Sequence, residues 1–131
     1  ILLCNDADGK FTLPSINVDS NGVTAGDNDV NNLNNIGATF TFFVETAATD
    51  MDIKTDGTDK FKGAIIIGLD DGADKAFVPA ATNDVITMNG STKGGIVGSV
   101  VSFTAIDTAT YMVHNSLLIG SGTIVTPYAD A

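Results

Sequence analysis

Gly37-Ala38-Thr39-Phe40-Thr41-Phe42-Phe43-Val44-Glu45-Thr46 decides the fold class. Within it Phe40, Phe42 and Val44 recur every second residue, while Thr39, Thr41 and Phe43 fill the alternate positions. Only an extended strand sends alternate side chains to opposite faces, so this segment is written for a sheet. Met51, Ile53 and Thr55 repeat the pattern. Asp56-Gly57-Thr58-Asp59 follows as an expected hairpin turn. Phe61 to Leu69 comes next as one strand. Its centre, Ile65-Ile66-Ile67, is apolar at every position, which predicts cover on both faces, by the chain's own core and by a loop or another subunit.

The rest of the chain obeys the same rule. Short strands are expected at Leu2 to Cys4, Phe11 to Leu13 and Ala76 to Val78, with Pro14 and Pro79 closing the last two. Further strands are expected at Asp84 to Met88, Ile96 to Ile106 (broken by Gly98), Tyr111 to His114, Leu117 to Ile119 and Thr123 to Tyr128. Between the two ends of this series lies Asn17 to Asn35, polar and rich in Asn, Asp and Gly, read as a long surface loop and a candidate contact arm. The organisation is therefore one all-β domain over 1–131. Residues 1–36 form an N-terminal strand and polar arm, and 37–131 the main core. A β-sandwich, a jelly roll and a barrel all fit strands at this spacing.

Composition agrees. Among 16 acidic residues only Glu45 is a glutamate, and all the basic residues are lysines, with no Arg or Gln. The good helix formers are thus avoided in favour of turn and strand residues. At 44% hydrophobic and 17% charged the chain has enough apolar content for a core. The net charge of −10 argues against nucleic-acid and anionic-membrane surfaces, which need clustered cations. The single cysteine, Cys4, excludes an intramolecular disulfide and reads as a buried residue of the first strand. Ile1-Leu2-Leu3-Cys4 lacks the small residue and preceding basic region of a lipoprotein cleavage box. No apolar run approaches the ~18 residues that a membrane helix needs.

Searches for chemistry return little. His114, the one histidine, sits mid-strand and reads as a surface or interface residue. No serine occupies a nucleophile elbow, and no spacing singles out a carboxylate pair. Gly90-Ser91-Thr92-Lys93-Gly94-Gly95 holds the ingredients of a phosphate loop in the wrong order. Asp6-Ala7-Asp8-Gly9 opens like a calcium loop but lacks its closing glutamate, and turn chemistry accounts equally for Asp27 to Asp29 and Asp70 to Asp74. Asn89-Gly90-Ser91 matches a glycosylation sequon and reads as a turn; Asn21-Gly22 and Asn89-Gly90 are candidate deamidation pairs. With no Trp and two Tyr, stacking platforms for sugars are scarce. No catalytic residue, metal or cofactor is expected.

Two turn-and-strand runs, Asp56-Gly57-Thr58-Asp59-Lys60-Phe61-Lys62-Gly63-Ala64-Ile65 and Asp84 to Asn89-Gly90 with Lys93-Gly94-Gly95-Ile96-Val97-Gly98, carry a resemblance. So do Phe11-Thr12-Leu13-Pro14, Tyr111-Met112-Val113, Gly120-Ser121-Gly122-Thr123 and Thr126-Pro127-Tyr128. Together they resemble small structural proteins that decorate tailed-phage heads, as cement proteins or head-fibre bases. The chain departs from that pattern at Tyr111, where a Trp is usual, and in the length and polarity of its Asn17 to Asn35 stretch. The resemblance implies an all-β virion protein on the outer capsid surface, often a homotrimer, bound to the major capsid protein. It assigns interface roles to Ile65, Ile66 and Ile67, which would line a subunit contact. Leu2 and Leu3 would add to a neighbouring sheet edge. A receptor- or glycan-binding domain of a tail fibre or adhesin is the alternative, and a hydrolase using an Asp pair the third.

Overall fold

The computed structural model describes residues 1–16, 35–70 and 72–131. The polar stretch from Asn17 lies outside the described residues up to Asn34, as does Asp71. Among the described residues there are eleven strands and no helix: β1 (Leu2–Cys4), β2 (Lys10–Thr12), β3 (Thr39–Val44), β4 (Met51–Lys54), β5 (Lys60–Lys62), β6 (Ile65–Gly68), β7 (Lys75–Phe77), β8 (Val85–Met88), β9 (Val100–Asp107), β10 (Thr110–Ile119) and β11 (Tyr128–Ala129).

They form two mixed sheets, neither closed into a barrel. The large sheet runs β1-β3-β9-β10-β6-β7, with β5 also paired to β10; the small sheet runs β11-β8-β4-β2. Their inner faces share one core in a sandwich-like arrangement. The all-β expectation therefore holds. Parallel pairs join β1 to β3, β2 to β4, and both β5 and β6 to β10. Parallel neighbours need a crossover; β2 of the small sheet lies between β1 and β3 in the chain, and β3 of the large sheet between β2 and β4.

The core obeys the period-two reading. Phe42, Val44, Ile53, Phe103 and Tyr111 are buried, and the aromatic rings link in series: Phe11 to Phe42, Phe42 to Phe103, Phe103 to Phe61, Phe61 to Tyr128, at centroid distances of 5.6, 5.8, 5.2 and 6.3 Å. Each such side chain contributes about 1.5–3 kcal/mol on burial. Two tyrosine hydroxyls pin the sheets together. Tyr111 of the large sheet donates to the Pro14 carbonyl beyond β2, and Tyr128 of the small sheet to the Gly63 carbonyl beyond β5, both at 2.6 Å. Burial pushes the Tyr111 phenol up to about 12, with the Asp59 and Asp56 carboxylates adding to it. Cys4 is buried as expected, and burial raises its thiol to about 11.

Several boundaries differ from the sequence reading. The turn Asp56 to Asp59 forms, with Asp56 Oδ1 accepting the Thr58 and Asp59 N–H groups, but it joins no hairpin. Instead it carries the chain from β4 in the small sheet to β5 in the large one. Phe61 to Leu69 is two collinear strands along β10, interrupted at Gly63. That glycine has φ +118°, and a Cβ there would lie 2.3 Å from the Val113 carbonyl oxygen. The strand expected from Ile96 begins only at Val100, after a turn through Gly98. Tyr111 to His114 and Leu117 to Ile119 are one strand with a bulge, and the last strand is confined to Tyr128–Ala129.

Candidate functional site

Register decides which side chains share a surface. Across the large sheet the paired residues run Leu3, Phe43, Val100, Leu117, Ile66 and Ala76, one from each of six neighbouring strands. All lie on the face turned away from the small sheet, since their strand neighbours Cys4, Val44, Val101, Leu118, Ile65 and Ile67 are buried in the core. Leu3 is 56% exposed, Leu117 52%, Ile66 45% and Phe43 37%. Among the described residues nothing covers this apolar row, which crosses six strands of the sheet. Apolar residues scattered singly need no explanation, but a contiguous row marks an interaction surface.

A bulge in β10 sets this row. His114 pairs with Ser102, and the next pair is Leu117 with Val100, so β10 spends one extra residue over that interval. Asn115 absorbs it with φ +45°, the one positive φ among described non-glycine residues. An extra residue reverses the inside-outside phase of the strand beyond it. Past the bulge Leu117 points outward and Leu118 inward.

Next to the apolar row lie two hydroxyl-bearing rows that satisfy themselves. The Thr41 and Ser102 hydroxyls meet at 2.8 Å, those of Thr39 and Thr104 at 2.7 Å, and Thr104 also reaches His114 Nε2 at 2.7 Å. His114 is thus engaged by a threonine hydroxyl of the neighbouring strand, on the outer face.

The five interface residues expected from sequence separate. Ile66 and Leu3 stand on the outer row. Ile65 and Ile67 are fully buried in the chain's own core and present nothing to a partner. Leu2 pairs with the inward residue Phe42, so it lies toward the inner side of the edge strand β1 and off the outer row, although it is exposed. The cover expected on both faces of Ile65 to Ile67 is supplied by this chain on one face only. Phe43, Val100, Leu117 and Ala76 were not singled out from sequence. Their alternation was visible, but alignment of residues so far apart in the chain was not.

Other groups are structural. Asp6 Oδ1 accepts the Asp8 N–H at 3.1 Å, and Asp8 accepts the Thr49 hydroxyl, so the calcium-like turn is held by its own bonds. Asp74 closes the Asp70 to Asp74 turn by accepting the Leu69 N–H. Among the described residues no group of three or more His, Cys, Asp or Glu is placed to hold a metal ion. Asn89 Oδ1 accepts the Ser91 and Lys93 N–H groups, and the Gly90 N–H is held by the Gly94 carbonyl. The backbone nitrogen that deamidation would use is therefore occupied.

Asp59 is buried beside Ile16. Burial raises its carboxyl above the ordinary range, opposed by the Ile16 N–H that it accepts at 2.9 Å and reinforced by Asp56 and Asp107. Asn35 Nδ2 donates to the Ser15 carbonyl, so residues 15 and 35 meet. A cleft of about 320 Å³ opens between Lys60–Gly63 and Val78–Ala81, lined mostly by apolar groups; Asp59 does not line it. Lys60 there is committed to the buried Asp84 carboxylate at 2.6 Å.

No family model, curated protein or solved structure matches this chain.

Proposed function

We propose that this chain is a virion structural protein of the capsid-decoration class, acting as an assembly subunit and not as an enzyme. The observation that carries the reading is the uncovered apolar row of the large sheet, which runs to the open edge strand β1. Such a face suits a subunit whose partner is another protein surface. The step from assembly subunit to phage head rests on the sequence resemblance. In this reading the β1 edge, with Leu3 exposed, adds to a sheet of the major capsid protein, and the chain also contacts copies of itself, three in the resembling proteins. A subunit that binds only the assembled shell stabilises it by mass action.

Both tyrosines are buried, so the aromatic platforms that a glycan-binding domain would use are not offered by them. The test is co-sedimentation of the purified protein with phage heads stripped of their own decoration. Stoichiometric binding, with heads that then survive heating or low salt better, is expected. Absence of binding, together with retention of a glycan on an array, would replace decoration by receptor recognition.

A further inference from the structure

The segment Pro14-Ser15-Ile16 belongs to no strand, and side chains hold it in place. The Tyr111 hydroxyl donates to the Pro14 carbonyl at 2.6 Å, the Asn35 amide to the Ser15 carbonyl at 2.9 Å, and Asp59 Oδ2 accepts the Ile16 N–H at 2.9 Å. We propose that Asp59 makes this clamp acid-strengthened: in the folded chain its carboxyl takes up a proton from mildly acidic solvent, and the domain then holds more firmly than at neutral pH. The inference goes beyond the decoration reading and does not depend on it.

Three carboxyls act on one another at this end of the sandwich, and one of them is suited to the proton. Asp56 is exposed, and its Oδ1 accepts the Thr58 N–H at 2.8 Å and the Asp59 N–H at 3.0 Å. Asp107 is exposed, and its Oδ1 accepts the Ala109 N–H at 2.9 Å. Water and these donors keep both as anions. Asp59 is 3% exposed, and among the described residues its carboxylate has a single donor, the Ile16 N–H. A charge so poorly solvated, facing two more of the same sign, is the costly state of that group.

No cation pairs with it. Lys60 follows Asp59 in the chain, but its ammonium is tied to Asp84 and to the Gly57 carbonyl, both at 2.6 Å, so it acts on Asp59 only through space. Tyr111, from β10, faces the same carboxylates as a neutral phenol, and Pro14, Ser15 and Ile16 bring no charge. The proton adds to Oδ1, the oxygen that Ile16 does not use. The bond to Ile16 therefore survives while the repulsion from Asp56 and Asp107 is removed.

The direction follows from linkage. Burial first, then Asp56 and Asp107, raise the folded carboxyl above its unfolded value of about 4. Between the two values the folded chain holds a proton that the unfolded chain has lost, so stability falls as pH rises through that window and returns as pH falls. Asp56 and Asp84, both lowered, carry the opposite sign further into acid. Stability is thus greatest on the weakly acid side of neutral.

The experiment joins an NMR titration of the wild type to urea unfolding of Asp59→Asn. The Asp59 carboxyl carbon and the Ile16 amide are expected to shift together, with a shared midpoint above about 4. Asp59→Asn keeps an oxygen for the Ile16 N–H and carries no charge. It is expected to show a higher urea midpoint than the wild type at neutral pH, and the gap is expected to close in weak acid as the wild type takes up its proton. A carboxyl midpoint at or below about 4 overturns the inference, as does an Ile16 amide that ignores the titration or a gap that is the same at every pH. A folded Asp59→Asn chain no more stable than the wild type at neutral pH overturns it as well. If the added N–H₂ group prevents folding, the wild-type titration decides alone.

Discussion

The two sheets share a core but turn different surfaces to the outside. On the small sheet the outward rows are Lys10, Asp52 and Thr87, then Thr12, Lys54, Val85 and Ala129. Lys10 is held by Asp52 at 2.9 Å and Asp50 at 3.0 Å, and hydrogen bonds from Asp52 and then Asp50 raise its ammonium above the ordinary value. On the large sheet the rows through Val100, Ser102 and Thr104 are mostly apolar or hydroxyl-bearing, and charge gathers at one end, at Lys62 and in the row of Asp107, Thr110 and Lys60. Alternation settles which residues enter the core in both sheets. Only the chemistry of the alternate residues distinguishes the charged outer face from the largely apolar one, which the proposed function gives to a protein partner. A charged outer face also discourages stray pairing, whereas the large sheet lacks that protection over most of its width.

The sharpest way to break this comparison lies in two adjacent leucines. Leu118→Ala removes a fully buried side chain and is expected to cost about 3 kcal/mol in urea unfolding. Leu117→Ala, measured where the chain is monomeric, is expected within about 0.5 kcal/mol of wild type. Equal losses would mean that the bulge does not set the phase proposed for β10.

The second test concerns the join between the sheets. Asp84, buried before β8, accepts the Lys60 ammonium and the Ala131 N–H. Burial alone would raise its carboxyl, but these two bonds hold it below the ordinary range. Its stabilising effect is therefore complete above the unfolded carboxylate value, near 4, and is lost as pH falls through the lower folded value. Asp84→Asn is expected to cost about 2 kcal/mol at neutral pH and to flatten the acid limb of the stability profile. An unchanged limb would move the acid sensitivity to another carboxylate, with Asp56 the next candidate. Its carboxyl is lowered by the Asp59 N–H first and by Ser15 second.

The smallest effect is expected on the small sheet's outer face. Lys10→Ala should leave the urea midpoint within error of wild type, because its carboxylate partners are paired in water. A clear loss would show that this face, too, is more than solvated surface.

Much of the fold was legible because its signal is local. Thr39 to Val44 displays its two faces in six letters, and Asp56-Gly57 announces a reversal. Neither reveals what the reversed chain will pair with. The Asp56 side chain closes its turn identically whether β5 returns beside β4 or crosses to the other sheet, so the expected hairpin became a crossover. Gly63 looked like an ordinary glycine in a strand until the Val113 carbonyl was found against it. The run Ile65-Ile66-Ile67 was correctly an unusual strand, yet its two faces received different fates, core for Ile65 and Ile67 and open surface for Ile66. The apolar row was the least legible feature, because each member is an ordinary residue in its own strand and only long-range register lines them up.

The alternation of the chain between sheets has a consequence for biosynthesis. β1 waits for β3, β2 for β4, and β8 for the distant β11, so neither sheet can be sealed while much of the chain is still in the ribosomal tunnel. Folding must bring remote segments together before most local pairs are rewarded, which places it on the slow side of small domains, in milliseconds to seconds. Through that interval Phe43, Ile66 and Leu117 are exposed alongside residues that will later be buried. Crowded nascent copies would therefore risk joining through these residues before each has finished its own sandwich.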